Sequence, residues 1–212
     1  MADLLVLGGT GVVGKAVVQL ALEEPRILRV VAPTRRALSL QHQRLINPIV
    51  NFDSLDATAP WWKVDAVVSA LGTTRGLTPS ETDYERIETG YPLRVAQLVR
   101  ERGARAFAYV SSIGASSSSR SFYLRTKGQT EARLREVGFP SLTLVRPSGI
   151  IGRRLPRRRL EEITLGAYRV LRPALPRRWR AVTGPQVAKS LLKAVLGAEE
   201  GIHIIESEAL QD

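Results

Sequence analysis

A short apolar run that opens directly onto three spaced glycines constrains this chain most. Leu4-Leu-Val-Leu7 leads into Gly8, Gly11 and Gly14, and Lys15-Ala-Val-Val-Gln-Leu-Ala-Leu-Glu-Glu24 follows with the look of a buried helix. A strand covered on both faces reads as an unbroken apolar run rather than an alternating one. Glycines at this spacing allow a tight turn, close approach of backbone to a pyrophosphate, and close contact between helix and strand. The helix amino terminus adds unpaired N–H groups and a positive dipole end, both suited to phosphate oxygens. The loop Gly8-Gly-Thr10-Gly11-Val12-Val13-Gly14 is therefore read as a nucleotide cradle.

The remainder alternates strand and helix. Strands are expected at Ile27–Ala32, Pro48–Phe52, Val64–Leu71, Ala106–Val110, Leu142–Val145 and Ile202–Ile205. Helices are expected over Ser80–Arg102 (irregular near Gly90 and Pro92), around Tyr123–Lys127 up to Gly138, and over Gln186–Leu196. Such alternation predicts an α/β fold with a doubly wound parallel sheet. A length of 212 residues suits one domain with a substantial core, spanning 1–212. No apolar run approaches 18 residues, so a soluble chain without a membrane span is expected. There is no leader pattern ahead of the first strand and no cysteine, which suits a reducing compartment; the expected location is cytoplasmic. His42 and His203 are far apart in sequence and offer no metal-ligand cluster.

The second strand ends at Pro33-Thr34-Arg35-Arg36, about 20 residues past the glycine loop. An acidic residue in that place holds the ribose 2′-hydroxyl of NAD. Arginine instead pairs with a 2′-phosphate through charge-assisted hydrogen bonds. Thr34, Arg35 and Arg36 thus predict NADP(H) in preference to NAD(H), with one of the two arginines serving as a solvated turn residue if it points away.

Further on, Tyr123 and Lys127 stand four apart, so on a helix the phenol and the ammonium share a face. A phenol with a pKa near 10 carries protons poorly at neutral pH, and bringing it to about 7 takes roughly 4 kcal/mol of phenolate stabilisation. A fixed cation in a partly dry pocket supplies much of that. By itself the spacing also fits an ordinary surface helix. Its position downstream of a glycine loop and of Ser111-Ser112 favours a site.

In this order, the glycine loop, Ser111-Ser112, Tyr123/Lys127 and Arg146-Pro147 resemble a short-chain dehydrogenase/reductase of the atypical or extended kind. Leu71-Gly-Thr-Thr-Arg75, the Tyr-Leu-x-x-Lys-Gly form of the tyrosine motif and Ile205-Glu-Ser-Glu-Ala209 are similar to the Tat-interacting-protein-like oxidoreductases. The resemblance implies a Rossmann fold, a nicotinamide cofactor and hydride transfer to or from a carbonyl/alcohol pair. By position it implies that Tyr123 handles the proton, that Lys127 holds the nicotinamide ribose and favours the tyrosinate, and that Ser112 hydrogen-bonds the substrate oxygen. It also implies that Ala70, Leu71 and Gly72 let the backbone pass close to the cofactor. Asp53 takes the place of a residue that binds adenine, and Pro147, Gly149 and Ile150 line the nicotinamide side. Two features depart from the family pattern. Glu88 stands where many members keep an asparagine for a water-linked proton relay, and the segment after the sixth strand is short, which argues against a sugar-nucleotide epimerase. A cofactor-binding regulator or adaptor with little turnover is therefore the alternative.

The net charge of +11 is concentrated: residues 153–180 hold ten arginines against Glu161 and Glu162. Leu160, Ile163, Ala167, Val170 and Leu171 recur there at helical spacing, which reads as a basic helical cap over 153–180. A solvated arginine-rich face is the plainest reading. A cap that attracts an acidic small-molecule substrate is the second, and contact with nucleic acid or anionic membrane the least favoured.

Overall fold

The computed structural model describes residues 1–73, 76, 78–151 and 175–211. Its sheet is built from β1 (Ala2–Leu7), β2 (Ile27–Val31), β3 (Leu45–Ile46), β4 (Ala66–Ser69), β5 (Ala106–Val110), β6 (Ser141–Arg146) and β9 (Gly201–Glu206), with a small separate pair, β7 (Ile150–Ile151) and β8 (Val182–Thr183). Among the described residues the α-helices are α1 (Val12–Glu23), α2 (Glu81–Glu85), α3 (Tyr91–Glu101), α4 (Phe122–Glu136) and α5 (Gly184–Gly197). The order across the sheet is β3-β2-β1-β4-β5-β6-β9, and every pairing is parallel. This is the doubly wound, Rossmann-like arrangement expected from the alternation. Strand order reverses between β1 and β4, the place where open α/β sheets bind ligands.

Period-two alternation within the apolar runs divides the core. Leu4 and Val6 of β1, with Val30, Val68 and Ala108, pack against Val17, Ala21, Val187 and Leu191 of α1 and α5. Leu5 and Leu7, with Val31, Val67, Phe107, Tyr109 and Leu144, pack on the opposite face against Val95, Val99, Trp62 and Leu134. With both faces covered, an unpartnered polar group on a strand is costly, hence the largely apolar runs; the buried Ser69 hydroxyl of β4, which has no hydrogen-bond partner among the described residues, is an exception.

The third strand departs from expectation. It is Leu45–Ile46, and Pro48–Phe52 contributes only an isolated bridge, Thr34 to Ile49. Proline supplies no N–H to the ladder at that step. The Asn47 side-chain amide donates to Ala32 O at 2.6 Å instead, and pairing resumes through Thr34 N to Pro48 O and Val50 N to Thr34 O. The long helix expected over Ser80–Arg102 is divided by a π turn, Arg86–Gly90, with Pro92 at the start of α3. Pro92 cannot donate to the Glu88 carbonyl as an α-helical residue would, and the wider turn accommodates that loss. Most of the basic segment, 153–174, lies outside the described residues, and with it most of the expected helical cap.

Candidate active site

The glycine loop packs on the turn that follows β4. Gly8 has φ +81°, and a Cβ there would stand 2.5 Å from Ala70 O and 2.7 Å from Leu71 N. At Gly14 a Cβ would fall 2.6 Å from the Gly8 carbonyl carbon. Gly11 N donates to Gly8 O at 2.8 Å, which closes the loop into the first turn of α1. Thr10 and Gly11 are exposed, Val12 is half-buried, and Val13 is buried in the core. A tight loop with no room for a side chain at Gly8 or Gly14, facing a helix amino terminus at the switch point, fits the pyrophosphate of a dinucleotide. Gly184, at the start of α5, packs equally closely on the loop: a Cβ there would lie 2.8 Å from Val12 Cγ1. Like Gly8 and Gly14 it leaves no room for a Cβ, but no spacing in the sequence marks it.

At the end of β2, Thr34 is buried, whereas Arg35 and Arg36 are exposed. Thr34 Oγ1 donates to Arg36 O at 2.8 Å and accepts from Asn47 Nδ2 at 2.7 Å. Asn47 Oδ1 also accepts from Leu38 N at 2.8 Å. Thr34 and Asn47 thus fix the turn from within while both guanidinium groups face outward. Asp53 is exposed as well. It accepts from the Tyr91 phenol at 2.8 Å and lies 3.2 Å from Arg86 Nη1. Burial, reinforced by the bond to Asp53, pushes the Tyr91 pKa up. The carboxylate expected to border adenine is therefore already partnered.

The inner face of α4 carries groups that a packing helix would not. Lys127, Thr130 and Glu131 are all buried. Lys127 Nζ donates to Val110 O at 2.9 Å and to Tyr109 Oη at 3.1 Å, and it lies 2.8 Å from Glu88 Oε2. The last contact is an ion pair off the hydrogen-bonding direction, since Oε2 has no aligned donor. Burial draws the Lys127 pKa down, but Tyr109, Glu88 and Tyr123 more than offset it, so the ammonium stands well above the usual lysine value. Burial also pushes the Tyr84 and Tyr109 phenols up. Tyr123 itself is 43% exposed and makes no hydrogen bond to Lys127. Ser112 is buried at the end of β5, its hydroxyl 3.4 Å from Ile113 O. Its neighbour Ser111 points elsewhere, donating to Glu131 Oε1 at 2.5 Å. Glu131 in turn grips Arg146 through two contacts of 2.9 and 2.6 Å. This network ties α4 to the ends of β5 and β6, and it fixes where Tyr123 and Lys127 stand.

The remaining expected residues close the same end of the sheet. Pro147 O accepts from Ile113 N at 3.0 Å, and Gly149 O from Val182 N at 2.8 Å; Ile150 pairs with Val182. Thr73 N donates to Glu88 Oε1 at 2.6 Å, linking the Ala70-Leu71-Gly72 turn to the lysine's partner. Ser112, Tyr123 and Lys127 thus stand at the β5–α4 junction, and the glycine loop at the β1–α1 junction. The Glu88–Lys127 contact joins the two regions, and an acidic residue in an unusual position was its sole trace in the sequence.

Comparison with known proteins agrees with a nucleotide-binding fold of this kind. A family described as NAD(P)H-binding matches residues 8–195. Protein HTATIP2 of Rattus norvegicus is 28% identical over 216 residues, covering 98% of this chain and 87% of that one. The mitochondrial protein fmp52 of Aspergillus fumigatus is 30% identical over 162 residues, covering 73% and 69%. Among solved structures, the Bordetella bronchiseptica enzyme WbmH in complex with NAD+ has the same fold, with TM-score 0.70 and 16% identity over 98% of this chain and 76% of that one. The cytoplasmic location expected from composition is overturned by these comparisons, because the fungal relatives are named as mitochondrial proteins.

Proposed function

The chain belongs to the NAD(P)H-binding family, and from that membership we propose an NADP(H)-dependent oxidoreductase acting on a carbonyl or hydroxyl group of a small molecule. The observation that carries the reading is the meeting of two sites at one end of the sheet. A tight glycine loop suited to phosphate stands at the β1 end, and Ser112, Tyr123 and Lys127 stand at the β5–α4 junction. The nicotinamide group, when bound, supplies the hydride chemistry. Gly8, Gly11 and Gly14 receive its phosphates, Arg35 and Arg36 its 2′-phosphate, and Asp53 borders the adenine. Lys127 takes the nicotinamide ribose, and Pro147, Gly149 and Ile150 border the ring. Ser112 holds the substrate oxygen, and Tyr123, accessible from solvent, gives or takes the proton there.

Support for NADP(H) comes from the outward pair Arg35/Arg36 and from the lack of an acid in Pro33-Thr34-Arg35-Arg36. Fluorescence titration of the purified protein with NADPH and NADH tests it. NADPH should bind at least about tenfold tighter, equivalent to about 1.4 kcal/mol, and Arg35→Ala/Arg36→Ala should erase the difference. Equal affinities would refute the preference.

One observation favours a second reading, a cofactor-binding regulator with little turnover: Lys127 donates to Val110 O and Tyr109 Oη and pairs its charge with Glu88, and makes no hydrogen bond to Tyr123. Tyr123→Phe separates the two. It should abolish carbonyl reduction at unchanged cofactor affinity in the enzyme, and should leave a regulator's cellular activity intact.

A further inference from the structure

Glu88 enters the site because the helix before it changes pitch. The π turn Arg86–Gly90 carries Glu88 and Thr89 inward, where both are buried. Glu88 Oε1 accepts the Thr73 N–H, and the Gly72 backbone lies so close that a Cβ there would sit 2.9 Å from the same oxygen. Oε2 lies 2.8 Å from Lys127 Nζ, with side-chain exposures of 2% for the glutamate and 6% for the lysine. The two charges therefore form a dry, net-neutral pair directly beneath Gly72 and Thr73, at the carboxyl end of β4. That is the crevice at the topological switch point.

The redox state of a nicotinamide changes its charge by one unit: the oxidised ring is cationic and the reduced ring neutral. An unpaired ammonium under this crevice would repel the oxidised form and leave the reduced form unaffected. Paired with a carboxylate, it does not discriminate on charge.

We propose that Glu88 sets the relative affinity for oxidised and reduced cofactor, by cancelling the Lys127 charge beneath Gly72–Thr73 so that the cationic ring is not repelled. The inference rests on the nicotinamide-binding reading of this crevice. It makes Glu88 a specificity-determining residue in the place where the asparagine of many family members would stand.

The test is calorimetric titration of the full chain with NADP+ and NADPH, and with NAD+ and NADH in parallel. Glu88→Gln should raise the ratio of the NADP+ to the NADPH dissociation constant on the order of tenfold, the effect of one charge across about 10 Å at an effective dielectric of about 20. Glu88→Gln/Lys127→Met removes both charges. It should weaken both forms and return the ratio to within about threefold of the unsubstituted protein. A ratio unchanged by Glu88→Gln, or one that stays raised in the double variant, would overturn the proposal. Failure of the unsubstituted protein to bind any of the four nucleotides would overturn the cofactor reading itself, a different and recognisable outcome. If Glu88→Gln does not fold, Glu88→Asn removes the same charge, leaves room for a water at the ammonium, and carries the same expectation.

Discussion

Gly128, next to the lysine, offers the sharpest test of how the site is held. The serine loop after β5 lies across α4 at this residue. A Cβ on Gly128 would fall 2.6 Å from Ser116 Cα and nearer still to Ser116 C and Ser117 N. Ordinary contact begins near 3.4 Å, so even the farthest of these atoms must retreat by about 0.8 Å. All three are backbone atoms, and the loop is pinned by Ser116 N to Leu124 O at 3.2 Å and Arg125 Nη1 to Ser119 O at 3.0 Å. No flexible side chain is available to yield. Overpacking of this kind costs about 1–3 kcal/mol, and the upper end applies here. Replacing glycine by alanine within a helix returns about 1 kcal/mol. Gly128→Ala is therefore expected to destabilise by about 2 kcal/mol, a fall in Tm of about 4–8 °C for a chain of this size. Gly197→Ala is the control. It lies at the end of α5 with nothing within 4 Å of its Cβ, so it should gain stability from helix propensity alone. Thermal unfolding of the two variants beside the parent decides the matter. If Gly128→Ala melts at or above the parent temperature, the loop is not seated on α4 as described.

Three other outcomes follow from the same geometry. Asn47→Leu removes three hydrogen bonds, to Ala32 O, Thr34 Oγ1 and Leu38 N, and should cost about 1–3 kcal/mol in urea unfolding while narrowing the NADPH-over-NADH preference. Glu131→Ala leaves the part-buried Arg146 guanidinium with only the half-exposed Glu206 contact, and should destabilise by roughly 3 kcal/mol by the same assay. The third concerns pH. Folding raises the Tyr84 and Tyr109 phenols above their ordinary value of 10.0 and the Lys127 ammonium above 10.5. Above about pH 10 the unfolded chain releases these protons before the folded one, so the stability they contribute is complete below pH 10 and lost as pH rises through the folded values. Unfolding free energy measured from pH 8 to 12 should decline, and Lys127→Met should decline less steeply.

The alternation of apolar runs with helical segments made the sheet legible, because a strand covered on both faces leaves few polar positions to confuse it. Leu4–Leu7, Ala106–Val110 and Leu142–Val145 all lie within strands. The third strand was misplaced because Pro48–Phe52 has the apolar composition of a strand, whereas the ladder needs an N–H that Pro48 lacks. Asn47 restores the missing bond from its side chain, which propensity cannot register. The irregularity near Gly90 and Pro92 was visible. Its form, a π turn that delivers Glu88 inward, was not.

The sequence by itself determined the architecture and the chemical inventory: a doubly wound sheet, a glycine cradle, and a phenol and an ammonium on one helix face. These follow from local rules, the period of apolar residues and the geometry of short spacings. Tertiary structure alone decided which groups meet. Lys127 pairs with Glu88 rather than with Tyr123, Ser111 serves Glu131 and Arg146, and Gly184 and Gly128 hold their places because distant backbone passes within contact. Such choices depend on burial, which makes an unpartnered charge or hydroxyl costly and so selects its partner from whatever the fold brings near.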